Sequence, residues 1–110
     1  MRESQPRKIE TYVRANGKAP FEEWISTLRD TSAKAKICTR IDRMRFGNFG
    51  DCKSVGHGVF ELRIHFGPGY RVYFGLVGSE VVLLLAGGDK ASKSKDTSLA
   101  ERCWKEFRNG

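Results

Sequence analysis

Long apolar runs are missing from this 110-residue sequence. The longest, Val81-Val82-Leu83-Leu84-Leu85-Ala86, falls far short of the roughly 20 residues a membrane-spanning helix needs. The segment from Met1 to Lys8 carries charges with no apolar stretch behind them, so no signal peptide is expected and the cytoplasm is the expected compartment. Cysteine is scarce. Cys38, Cys52 and Cys103 are odd in number, widely spaced and form no C-x-x-C, which argues against a disulfide framework and fits a reducing compartment. Cys52 and His57 have no second ligand pair at metal spacing, so neither a metal nor a cofactor is expected. Internal repeats, low-complexity stretches and linkers are absent. So are a phosphate-binding glycine loop, a dinucleotide glycine motif, H-E-x-x-H and a nucleophile elbow.

What remains is one domain's worth of chain, residues 1–110, with 39% hydrophobic residues and enough aromatics to build a core. Acidic side chains are outnumbered, 13 against 20 Lys and Arg, for a net charge of +7. The excess is uneven: +5 over residues 1–57 and +2 over residues 58–110. Such a balance favours polyanionic partners, although many basic proteins merely present solvated basic faces.

Periodicity orders the elements. Lys8 to Val13 alternates like a strand. Pro20 can open a helix in which Phe21, Trp24, Ile25 and Leu28 share one apolar face. Asp30-Thr31-Ser32 breaks it and can cap a second helix, with Ala33, Ile37, Cys38, Ile41 and Met44 inward and Lys34, Lys36, Arg40 and Arg43 mostly outside that stripe. Gly47 and Gly50 end it. The period then changes to two. Val59, Glu61, Arg63 and His65 share one face, and Phe60, Leu62, Ile64 and Phe66 the other. A three-residue loop, Gly67-Pro68-Gly69, predicts Phe66 opposite Tyr70, His65 opposite Arg71 and Arg63 opposite Tyr73. A turn at Gly78-Ser79 leads to a third strand, Glu80 to Ala86, with Phe74 expected to face Leu83 and Arg71 to face Ala86. A last helix from about Asp96 places Leu99, Cys103, Trp104 and Phe107 on one side. The expected fold is α+β, ordered βααβββα, with a mainly antiparallel four-stranded sheet packed against helices. Cys38 and Cys103 read as core thiols, and Trp24 and Trp104 as core anchors.

The alternation gathers Glu61, Arg63, His65, Arg71 and Tyr73 on one polar face. Ala86, Gly87 and Gly88 should leave room beside Arg71, and Lys90 emerges nearby. A metal-free ribonuclease needs such groups: a base for the ribose 2′-hydroxyl, an acid for the leaving 5′-oxygen and cations for the phosphorane. Glu61 or His65 suits the base and His65 or Lys90 the acid. Arg71 and Arg63 suit the phosphate, and Tyr73 suits stacking on a base. Lys93, Lys95, Arg40 and Arg43 suit RNA phosphates. Each charge also has an ordinary reading as part of a salt-bridged solvent face, least comfortably for Arg71, which sits among apolar and small neighbours. If the face is catalytic, Arg71→Ala should abolish activity and leave the fold intact.

Val59-Phe60-Glu61-Leu62-Arg63, Gly69-Tyr70-Arg71-Val72-Tyr73-Phe74 and Val82 to Lys90 resemble the RelE/ParE toxin superfamily, and most of all its HigB-like branch of addiction-module killer proteins. Pro20-Phe21-Glu22-Glu23-Trp24 and Phe49-Gly50-Asp51 also fit that branch. The resemblance covers nearly the whole chain. It implies the toxin of a type II toxin–antitoxin pair. RelE-like members cut messenger RNA in the ribosomal A site without metal, whereas ParE-like members poison DNA gyrase. Arg71 matches the arginine that contacts the scissile phosphate, Arg63 the arginine shortly before it, and Lys90 the basic residue just after the last core strand. Val59 and Glu61 stand where RelE carries lysines, a position at which the HigB-like branch commonly has Glu. The tyrosine near the RelE carboxy terminus has no match. The implied partners are the ribosome, messenger RNA and a small helix-turn-helix antitoxin. A gyrase inhibitor and a non-catalytic RNA-binding module or decayed toxin are the alternatives.

Overall fold

The computed structural model describes residues 5–110. Of the amino-terminal segment read above for a signal peptide, Met1 to Ser4 lie outside the described residues. The elements run β1 (Lys8–Thr11), α1 (Pro20–Thr27), α2 (Thr31–Arg43), β2 (Cys52–Gly56), β3 (Val59–Ile64), β4 (Tyr70–Val77), β5 (Val81–Asp89) and α3 (Lys93–Asn109). The order is therefore βααββββα, and the sheet has five strands rather than four, arranged β1-β5-β4-β3-β2. β1 lies parallel to β5, and the other neighbours are antiparallel.

The helix boundaries follow local chemistry. Pro20 supplies the first turn of α1, where a missing N–H costs nothing. The Asp30 carboxylate accepts hydrogen bonds from the N–H groups of Ser32 and Ala33 and caps α2. Gly47, at φ 80°, closes the 3₁₀ turn that follows α2.

The sheet is covered on both faces. On one, Leu62, Ile64, Val72, Phe74, Val82 and Leu84 pack against Phe21, Ala33, Ile37, Ile41 and Met44 of the α1–α2 layer. On the other, Val59, Tyr73, Leu83, Leu85 and Ala86 pack against Ala100, Cys103 and Trp104 of α3. Trp104 is the anchor expected of it and lies so close to Gly75 that a methyl group there would overlap its ring. Cys103 is buried as expected, but Cys38 is exposed. One position on from Ile37, it falls about 100° around the helix, on the flank of the buried stripe.

Three registers differ from the sequence reading. β3 ends at Ile64, which pairs with Tyr70, so Arg63 faces Arg71 and Glu61 faces Tyr73. The loop takes five residues because a turn closed by the Gly69 N–H on the Phe66 carbonyl sits within it. The shift is two positions, so every side chain keeps its face. At the far end of β4, Val77 pairs with Val81 and Phe74 with Leu84 rather than Leu83. A bulge follows, since Tyr73 pairs with Ala86 and leaves Leu85 extra. It moves Gly88, not Ala86, opposite Arg71. Among the described residues no helix is long and apolar enough to cross a membrane.

Candidate active site

The ends of β3 and β4, the loop between them and the exit of β5 enclose a cleft of 390 Å³. Arg63, His65, Arg71 and Lys90 line it. Four of the five residues assigned to catalysis thus meet in one place. The Lys90 N–H donates to the Gly69 carbonyl at 3.0 Å and ties the end of β5 to the loop.

Arg63 and Arg71 are cross-strand neighbours, an arrangement that is repulsive unless each charge is answered. Each has its own carboxylate. Arg71 Nη1 donates to Glu61 Oε1 at 3.0 Å. Arg63 donates to Asp51 Oδ1 through Nε at 3.1 Å and Nη2 at 2.7 Å. The second Asp51 oxygen lies 2.5 Å from His65 Nε2. Bonds from His65 and Arg63 hold the Asp51 carboxyl below the usual carboxylate range, so it is ionised at neutral pH. Asp51 is the residue that the sequence reading missed as a site member. It directly precedes β2, the strand that was also missed, and its backbone carbonyl accepts from the Arg63 N–H at 2.9 Å. The turn that joins β2 to β3 is His57-Gly58, both at positive φ, with Gly56 paired to Val59 across it.

Three expectations are corrected. Glu61 is fully buried with its carboxylate on Arg71, so it is an anchor for that guanidinium and is closed to a ribose hydroxyl. Tyr73 is also fully buried beneath α3, where burial pushes its phenol up to about 12, and it offers no stacking platform. The space beside Arg71 is filled: a side chain at Gly88, its cross-strand partner, would overlap Asp96 and Ser92 of the α3 layer, whereas Gly87 turns to the opposite face of the sheet, against Trp24 of α1. α3 covers this face because Ala100, Cys103 and Trp104 bury their apolar surface against it, which outweighs leaving the polar strip open.

The open part of the cleft therefore holds His65, exposed over 75% of its side chain, and Lys90, also exposed. Lys93 and Lys95 follow in the exposed first turn of α3. Arg43 is exposed on α2, away from the cleft lining. Arg40 is structural, donating through Nη1 to the Arg63 carbonyl at 2.9 Å behind the cleft. A larger cleft of 630 Å³ lies between His57 and the outer side of α3, lined by Arg102, Lys105 and Arg108. None of its charged side chains is held by a hydrogen bond among the described residues, so it lacks the preorganisation of the smaller one. No group of three or more His, Cys, Asp and Glu able to hold a metal occurs among the described residues.

No family model matches the sequence. An uncharacterized protein of Haemophilus influenzae is 53% identical over 81 residues, which span 74% of this chain and 82% of that protein.

Proposed function

We propose that this chain, which belongs to the same family as the Haemophilus influenzae protein, is the toxin of a toxin–antitoxin pair and cleaves messenger RNA on the ribosome without a metal. The observation that carries the reading is the single cleft holding Arg63, His65, Arg71 and Lys90. Two guanidiniums, each steadied by a carboxylate, stand ready for a phosphodiester whose charge grows as the 2′-oxygen attacks. Cations fixed in place need no reorganisation during the reaction, so they stabilise the phosphorane more than mobile surface lysines would. With Glu61 committed to Arg71, His65 and Lys90 are the groups left for proton transfer. The resemblance to RelE/ParE toxins points the same way, as does the net charge of +7, which suits ribosomal and messenger RNA. The partners would be the ribosome, a translated message and an antitoxin that covers the cleft, all in the cytoplasm.

The test is induced expression of wild type and Lys90→Ala in a bacterial host, followed by mapping of RNA 5′ ends. New cuts in translated messages for wild type, lost in Lys90→Ala, are expected. Growth arrest with intact messages and a DNA-damage response would overturn the reading in favour of a gyrase inhibitor. Absence of arrest would overturn it in favour of a binding module.

A further inference from the structure

The hydrogen bonds of Asp51 settle which nitrogen of His65 carries a proton. A carboxylate can only accept, and Asp51 is ionised at neutral pH. At 2.5 Å from Asp51 Oδ2, His65 Nε2 must therefore be the donor. A neutral imidazole has one N–H, so Nδ1 is left with a free lone pair. Asp51 cannot turn away to relax this choice. Its other oxygen takes two hydrogen bonds from Arg63, and its backbone carbonyl takes a third from the Arg63 N–H. The other charged groups lining the cleft are the cations Arg63, Arg71 and Lys90; Arg40 lies behind the Arg63 carbonyl, and the Glu61 carboxylate is turned onto Arg71. The cations have no lone pair to accept a hydrogen bond from Nε2, and the Glu61 carboxylate is buried on Arg71, which leaves Asp51 as the acceptor.

We infer that Asp51 is a positioning residue that locks His65 in the Nε2–H tautomer, and that His65 Nδ1 is the base taking the ribose 2′-hydroxyl proton. This rests on the ribonuclease reading above. As Nδ1 takes that proton, the 2′-oxygen forms a bond to phosphorus. The bond from phosphorus to the 5′-oxygen breaks, and the leaving oxygen takes a proton from the Lys90 ammonium. The products are a 2′,3′-cyclic phosphate and a 5′-hydroxyl. His65 then loses its extra proton to solvent and Lys90 regains one, so the balance closes without a metal or a co-reactant. The logic is that of the aspartate in a serine-hydrolase triad, where an Asn in its place favours the wrong tautomer.

The experiment uses the full chain labelled with ¹⁵N, with the ring nitrogens of His65 read by long-range proton–nitrogen correlation at a pH where imidazole is neutral. Cleavage of ribosome-bound message is measured in parallel. Wild type should show Nε2–H. In Asp51→Asn the amide can donate to Nε2, so the proton should move to Nδ1 and the cleavage rate should fall by ~10²-fold or more. Asp51→Glu should restore both the tautomer and most of the rate. Loss of cleavage in Asp51→Asn with an unchanged tautomer would overturn the proposal, because Asp51 would then act only through Arg63. A wild type that cuts RNA with its proton on Nδ1 would overturn it and leave the ribonuclease reading standing. A wild type with Nε2–H that leaves ribosome-bound message intact would remove the base role and the ribonuclease reading together.

Discussion

Arg71→Ala should damage the fold as well as any activity, and the size of that damage can be worked out. Glu61 is fully buried, and among the described residues its carboxylate takes one hydrogen bond, from Arg71, whose own side chain is 15% exposed. Among the described residues the second Glu61 oxygen already lacks a partner, as does the neighbouring Tyr73 hydroxyl. Removing the guanidinium leaves a carboxylate in the interior with no counter-charge, which costs about 3–5 kcal/mol. A chain of this length has only ~5–15 kcal/mol of total stability. At about 4 °C per kcal/mol the melting temperature should fall by roughly 12–20 °C. Replacing both partners, Glu61→Leu with Arg71→Met, removes the unpaired charge and should return stability to wild type or exceed it by about 1–4 kcal/mol. Thermal unfolding followed by circular dichroism, supported by urea midpoints, measures both. If Arg71→Ala melts within about 2 °C of wild type, well under 1 kcal/mol, Glu61 is not held as an uncompensated interior charge and the reasoning fails. Where the sequence alone led to the expectation that Arg71→Ala leaves the fold intact, the buried Glu61 leads us to expect a cost to stability, and the double variant becomes the proper control for activity.

Gly75→Ala should cost about 1–3 kcal/mol by urea denaturation, because its methyl group would overlap the Trp104 ring between β4 and α3; an unchanged midpoint would mean that α3 is not seated there. The carboxyls of Asp51 and Glu106 are both held below their ordinary range, Asp51 by bonds from His65 and Arg63 and Glu106 by Arg14. A carboxyl depressed in the folded state contributes stability above its unfolded pKa and loses it as pH falls through the folded value. The urea midpoint of wild type should therefore decline on the acid side of about pH 4, and Glu106→Gln should flatten part of that limb; an equally steep limb in the variant would refute the role of Arg14. Thiol labelling under native conditions should modify exposed Cys38 quickly and buried Cys103 only on unfolding; equal rates would contradict the packing of α3.

Much of the candidate site was legible from alternation alone. Val59, Glu61, Arg63 and His65 had to share a face whatever the register, since successive strand residues point oppositely. That is why the two-residue slip at the β3–β4 loop left Arg63, His65, Arg71 and Lys90 together. Asp51 was not legible as their partner. Cys52-Lys53-Ser54-Val55-Gly56 is short, polar and at a sheet edge, so it has neither the apolar alternation nor the β-branched content by which a strand is read. Its strand character comes from backbone pairing to β3, a contact that local pattern does not encode. The burial of Glu61 and Tyr73 was equally hidden, because it depends on where α3 lands.

The sequence by itself determined the faces, the caps and the break points: the apolar stripes of α1 and α2, Asp30 at the head of α2, Gly47 at the turn that ends it, and the polar strip on β3 and β4. Each follows from chirality, helical or pleated period and local hydrogen bonding within a few residues. Only the tertiary structure decided the fifth strand, the bulge at Leu85, the closure of the polar face by α3 and the placing of Asp51 between Arg63 and His65. These depend on which distant surfaces bury the most apolar area together and on how loops must close to let them, a competition among long-range contacts in which a short window of sequence holds only one partner of each pair.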